Sequence, residues 1–102
     1  MNDEQRRKAI QQARIDAVGQ RLSQTFAAAQ VDIKDITHRH RRHAEASDGR
    51  AHFELLIVSD HFEGHATLSR HRLIYEALDD LMKTDIHALS IKALTPDQAA
   101  AL

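Results

Sequence analysis

Apolar residues recur at steps of three and four early in the chain. Ile15, Val18, Leu22, Phe26 and Ala29 share one face, with Arg14, Arg21 and Gln24 elsewhere, which predicts an amphipathic helix over residues 3–29. Gly19 weakens that helix by about 1 kcal/mol relative to alanine and does not end it. Residues 1–12 are mostly polar and read as an N-terminal extension, frayed or helical, ahead of a domain spanning 13–102. The period then changes to two. Val31 and Ile33 alternate with Asp32 and Lys34, predicting a half-buried strand over 31–37. Residues 38–51 are polar and charged and contain the turn pair Asp48-Gly49. A second strand follows over 52–59, with Phe53, Leu55 and Ile57 on one face. Leu56 and Val58 on its other face predict a central strand, partly covered on both sides.

A turn at residues 62–64 leads into a helix over 69–83, whose buried stripe is Ile74, Ala77, Leu78 and Leu81. Arg72, Glu76, Asp79 and Lys83 form its wet face, with Asp79 and Lys83 placed as an i,i+4 ion pair. A third strand covers 86–93. Thr95-Pro96-Asp97-Gln98 combines an N-cap, a proline at the first helical position and a capping-box glutamine, so a short helix starts there. The order is helix, strand, strand, helix, strand, helix. A helix between the second and third strands requires a parallel crossover connection. The fold class is α+β: a single compact domain whose three-stranded mixed sheet carries packed helices. Its expected core is Val18, Leu22, Phe26, Phe53, Leu55, Ile57, Ile74, Leu78, Leu81, Leu89 and Ile91.

Composition narrows the classes. A chain of 102 residues with net charge −1 and 42% hydrophobic content suits one folded domain. No apolar run approaches the ~20 residues of a membrane span, so no membrane partner is expected. The polar start lacks the apolar core of a secretory signal, and the expected compartment is the cytoplasm. With no cysteine, disulfides and thiol nucleophiles are excluded, while eight histidines remain for metal chemistry. A sequence pI of 6.7 lies well below the ~9 typical of a dedicated nucleic-acid binder. Basic residues nevertheless cluster at Arg39, Arg41 and Arg42, and at Arg70 and Arg72 around His71.

His38, His40 and His43 crowd one loop. Neutral imidazole suits Zn, Cu or Ni, and the same pattern also describes a solvated polar loop. His87 stands at the entry to the third strand with the parity of Leu89 and Ile91, as either a backbone-bonded imidazole or a ligand. His71 shares the face of Ile74 and Leu78 and reads as a satisfied, partly buried histidine. His52 lies on the outward face of its strand. Neither a nucleophile elbow, an H-E-x-x-H pair nor a phosphate-binding glycine pattern is present, so the chain is not expected to be an enzyme.

Three strings taken together point further: His61-Phe62-Glu63-Gly64, then Arg70-His71-Arg72-Leu73-Ile74-Tyr75, then Ile86-His87-Ala88-Leu89-Ser90-Ile91. They resemble the core of the BolA family, a resemblance that covers residues 31–96. It implies a fold similar to the type II KH arrangement. The three glycines, Gly19, Gly49 and Gly64, leave no GXXG loop for KH-style RNA binding. The resemblance also implies an interaction module that binds a monothiol, CGFS-type glutaredoxin and shares a [2Fe-2S] cluster with it. The glutaredoxin cysteine and a glutathione thiolate would complete the ligands, and the isolated chain would carry no cofactor. In the family the histidine of the H-A-L-x-I motif is a cluster ligand, which carries over to His87. The histidine or cysteine of the loop between the first two strands carries over to His40. The family's usual Ala-Gly pair is Arg41-Arg42 here, which leaves His43 as the alternative loop ligand.

The implied role is iron–sulfur trafficking, or iron or redox sensing. The alternative is a DNA-binding transcriptional regulator of the BolA type, with Arg70, Arg72, Arg41 and Arg42 contacting phosphate or a protein partner. A weak homodimer is compatible with either.

Overall fold

The computed structural model describes residues 1–37 and 49–102. Along them run α1 (Asp3–Phe26), β1 (Gln30–Asp35), β2 (Ala51–Val58), α2 (Thr67–Thr84), β3 (Ile86–Leu94) and α3 (Pro96–Ala100). A single 3-10 turn at Asp60–Phe62 separates β2 from α2. The element order is the one read from the periodicities.

α1 begins with a capping box between Asn2 and Gln5, and residues 1–10 are exposed. It stops at Phe26, earlier than the expected residue 29. Ala27 turns into the left-handed region at φ 46°, and its N–H reaches the Ser23 carbonyl. The buried Ser59 hydroxyl donates to the Phe26 carbonyl at 2.6 Å, satisfying an oxygen that the ended helix leaves open. Ala29 is exposed, and its N–H already pairs with Val58 at 2.9 Å. The turn is what lets β1 lie down beside β2.

The sheet order is β1-β2-β3. β1 is antiparallel to β2, with Ile33 opposite Leu55, and β3 is parallel to β2, with Leu89 beside Phe53. Ala51, Phe53, Leu55 and Ile57 face both long helices. They form one core with Val18, Leu22 and Phe26 of α1 and with Ile74 and Leu78 of α2. Each large apolar side chain enclosed there contributes ~1.5–3 kcal/mol. Leu81 and Ile91, expected inside, are half-buried against that core. Phe62 and Ile86 are fully buried and had no clear periodic signal. The opposite sheet face is wet, with Asp32, Lys34, Glu54, Ser90 and Lys92 exposed and Leu56 half-buried.

Polar contacts join the elements at their margins. Arg21 of α1 donates to the Ala77 carbonyl at 3.0 Å and to Asp80 at 2.8 Å. That hydrogen bond holds the Asp80 carboxyl below its ordinary value of 3.8. Asp79 and Lys83 pair as the spacing predicts, at 3.6 Å and in full exposure. The capping box of α3 forms as read, Thr95 accepting from the Gln98 N–H and Gln98 from the Thr95 N–H.

Candidate metal-ligand site

Because β1 is antiparallel to β2 and β3 parallel to it, the C-terminal end of β1 and the N-terminal ends of β2 and β3 share one edge of the domain. Thr37 and Gly49, the described residues that flank positions 38–48, both lie at this edge, where β3 begins with His87 nearby. The expected loop ligands His40 and His43, and the arginines Arg41 and Arg42, lie outside the described residues, as does His38.

His87 is exposed, and the reason is a β-bulge. Ala51 pairs with Ile86 while His52 pairs with Ala88, so His87 is an extra residue on β3 with no opposite number. The alternation therefore restarts at this point: Ile86 and Leu89 both turn inward and His87 turns out. Its expected parity with Leu89 and Ile91 is corrected by one residue. Bulges commonly re-aim a side chain at a strand end in this way.

Several side chains hold this edge together. Gln11 of α1 donates to the Thr37 hydroxyl at 3.2 Å, and the His52 N–H donates to the same oxygen at 3.1 Å. Thr37 also bonds the Asp35 carboxylate. Arg14 donates to the Gly49 carbonyl at 2.9 Å and to Asp85 at 3.3 Å, so α1 grips both roots of the loop and the residue that ends α2. Arg50 donates to the Met82 carbonyl at 3.3 Å in the last turn of α2, where carbonyl oxygens point outward and favour a cation. Its other terminal nitrogen lies 3.3 Å from Nδ1 of His87. None of Gln11, Arg14 and Arg50 carries a periodic or motif signal in the sequence; the contacts by which they hold this edge span 26 to 71 residues.

The other singled-out residues separate. His52 is half-buried on the outward face, as expected, with Nε2 3.4 Å from the Ser90 hydroxyl. His71 is half-buried, and no hydrogen bond reaches its ring among the described residues, so it is not the satisfied histidine expected. Arg72 is exposed, with no ion pair to Glu76 among the described residues. Arg70 does not stand beside it on the surface. It is 8% exposed, donating to the carbonyls of His65 (2.7 Å) and Ala93 (2.9 Å) and to Gln98 Oε1 (2.6 Å), with its guanidinium 5.9 Å from the centre of the Phe62 ring. This is a structural cation at the C-terminal end of β3, turned away from any surface partner.

The donor set has a definite chemistry. Among the described residues no three ligating side chains converge on one point. His87 offers one exposed imidazole at the root of a histidine-bearing loop. That suits a chain supplying one or two nitrogen ligands to a centre completed by another molecule, since histidines replace two thiolates of a [2Fe-2S] cluster in known chemistry.

A family model described as BolA-like protein matches residues 22–98. Among solved structures, the BolA domain of SufE1 from Arabidopsis thaliana has a TM-score of 0.73 and 39% sequence identity, covering 80% of this chain and 91% of that one. The chain is 39% identical over 84 residues to SufE-like protein 1, chloroplastic/mitochondrial, of A. thaliana. The match takes in 78% of the chain and only 23% of that longer protein. It is 31% identical over 80 residues to the DNA-binding transcriptional regulator BolA of Escherichia coli K12, covering 78% of this chain and 73% of the regulator.

Proposed function

Because this chain belongs to the BolA-like protein family, we propose that it is an interaction module that binds a monothiol, CGFS-type glutaredoxin and shares a [2Fe-2S] cluster with it. His87 supplies one imidazole and the loop histidine, His40 or His43, the second; the glutaredoxin cysteine and glutathione supply thiolates. The observation that carries this reading is the position of His87: exposed by a bulge, at the edge where residues 38–48 are rooted. The cluster supplies one-electron chemistry at a potential that histidine ligation raises. The chain's own part is to present imidazoles on a rigid strand end and to leave open the side from which a partner approaches. Trafficking of clusters, or sensing of iron or redox state, is the role that fits, with the cytoplasm as its place. Among the described residues no helix is long and apolar enough to cross a membrane.

The test is co-expression with a CGFS-type glutaredoxin, followed by visible absorption and circular dichroism of the purified complex. We expect a coloured heterodimer whose spectrum neither protein gives alone. Two proteins that fail to associate, or that associate without a cluster after reconstitution with iron, sulfide and glutathione, would contradict the proposal.

A second reading, regulation of transcription through DNA, takes support from the similarity to the DNA-binding transcriptional regulator BolA of E. coli. In this chain it would rest on Arg72 of α2 together with Arg41 and Arg42, because Arg70 is enclosed. Each phosphate contact made by Arg72 should add about −0.9 to the slope of log K against log salt. A slope unchanged by Arg72→Ala would remove α2 from such an interface.

A further inference from the structure

The 3.3 Å contact between Arg50 and Nδ1 of His87 has only one chemical meaning. A guanidinium carries donors and no acceptor, and it stays charged at any pH at which the protein is folded. Nδ1 must therefore be the acceptor. In a neutral imidazole one nitrogen carries the proton and the other the lone pair, so the ring beside Arg50 is the Nε2–H tautomer, with its one basic lone pair directed at arginine. A metal ligand needs that same lone pair. Arg50 is in turn held by the Met82 carbonyl at the end of α2, which places the guanidinium at the ring independently of any cluster.

We propose that Arg50 is a latch on His87: in the cluster-free chain it occupies the imidazole's lone pair, and the contact must break before the ring ligates iron. This rests on His87 being a cluster ligand. Two routes open the latch. Ligation through Nδ1 displaces the guanidinium outright. Ligation through Nε2 requires the ring proton to move, by way of solvent, from Nε2 to Nδ1, after which Nδ1–H and the arginine face each other as two donors and separate. Either way Arg50 stabilises the cluster-free state and opposes loading, which biases the shared cluster toward release. Arg50 is a positioning residue, acting on the cluster through His87.

Two readouts test this. Long-range proton–nitrogen correlation spectra of the cluster-free chain at pH 8 report which ring nitrogen of each histidine carries the proton. We expect the Nε2–H form for His87 in the wild type, loss of that preference in Arg50→Ala, and partial retention in Arg50→Lys, which keeps a cationic donor. The second is a titration of cluster-loaded glutaredoxin with each chain, followed by visible circular dichroism. Arg50→Ala should reach half-conversion at about fivefold lower concentration, the equivalent of ~1 kcal/mol for one net hydrogen bond. A wild-type Nδ1–H tautomer, or a titration unchanged or weakened by Arg50→Ala, would overturn the latch. Failure of the parent reading is distinguishable: the wild-type chain would then give no mixed-ligand spectrum at all, whereas the tautomer spectra need no cluster.

Discussion

At the C-terminal end of β3, Arg70 is enclosed by the carbonyls of His65 and Ala93, the side chain of Gln98 and the face of Phe62. At the N-terminal end of the same strand, Arg50 stands beside an exposed His87 and also donates to the Met82 carbonyl at the end of α2. Both arginines are permanent cations that donate to neutral acceptors. What differs is water. Arg70 cannot shed its charge, so every oxygen that meets it replaces solvent that has been removed, and losing them is expensive. The acceptors of Arg50 compete with solvent, so its contacts exchange at small cost. One end of the strand is built for stability and the other for exchange of partners.

Substitutions should expose that asymmetry. The apolar core sets the scale: Leu55→Ala, at a position only 3% exposed, should cost ~2–5 kcal/mol in urea unfolding. Arg70→Ala should come close to it, at ~2–4 kcal/mol, because it strands buried acceptors that one cation now serves. A cost under ~1 kcal/mol would mean that water replaces the guanidinium, and the two ends of β3 would no longer differ in kind. His87→Ala should change stability by no more than ~0.5 kcal/mol, the usual range for an exposed side chain. The smallest effect belongs to the α1–α2 contact. Asp80 is held below 3.8 chiefly by its hydrogen bond from Arg21, so the stabilisation is present above that value and fades as pH falls through the lower, folded-state value. Arg21→Gln should therefore lower the urea midpoint at pH 7, and its difference from the wild type should narrow in acid. A difference independent of pH would assign the effect to the Ala77 carbonyl instead.

The helices and strands were legible because their apolar positions repeat at 3.6 or 2 residues, and α3 because its capping chemistry is written in four consecutive residues. The parallel pairing of β2 and β3 followed from a helix between them. The motif picks out His87 but not its direction, since a bulge depends on how two strands pair and leaves no mark in the alternation of one. Arg70 looked like surface charge because arginine rarely lies inside. Its burial depends on oxygens from residues 65, 93 and 98, which only the folded chain brings together. Arg50, just after a turn pair, carries no sequence signal for the same reason: His87 lies 37 residues away.

The central claim is that the exchangeable end of β3 presents a cluster ligand. The most direct measurement is the visible absorption and circular dichroism of the glutaredoxin complex formed by the wild type and by His87→Ala, at matched protein and iron. We expect His87→Ala to bind the glutaredoxin and to lose or severely distort the histidine-ligated spectrum. Full retention of the wild-type spectrum by His87→Ala, with the two proteins still bound, would contradict it.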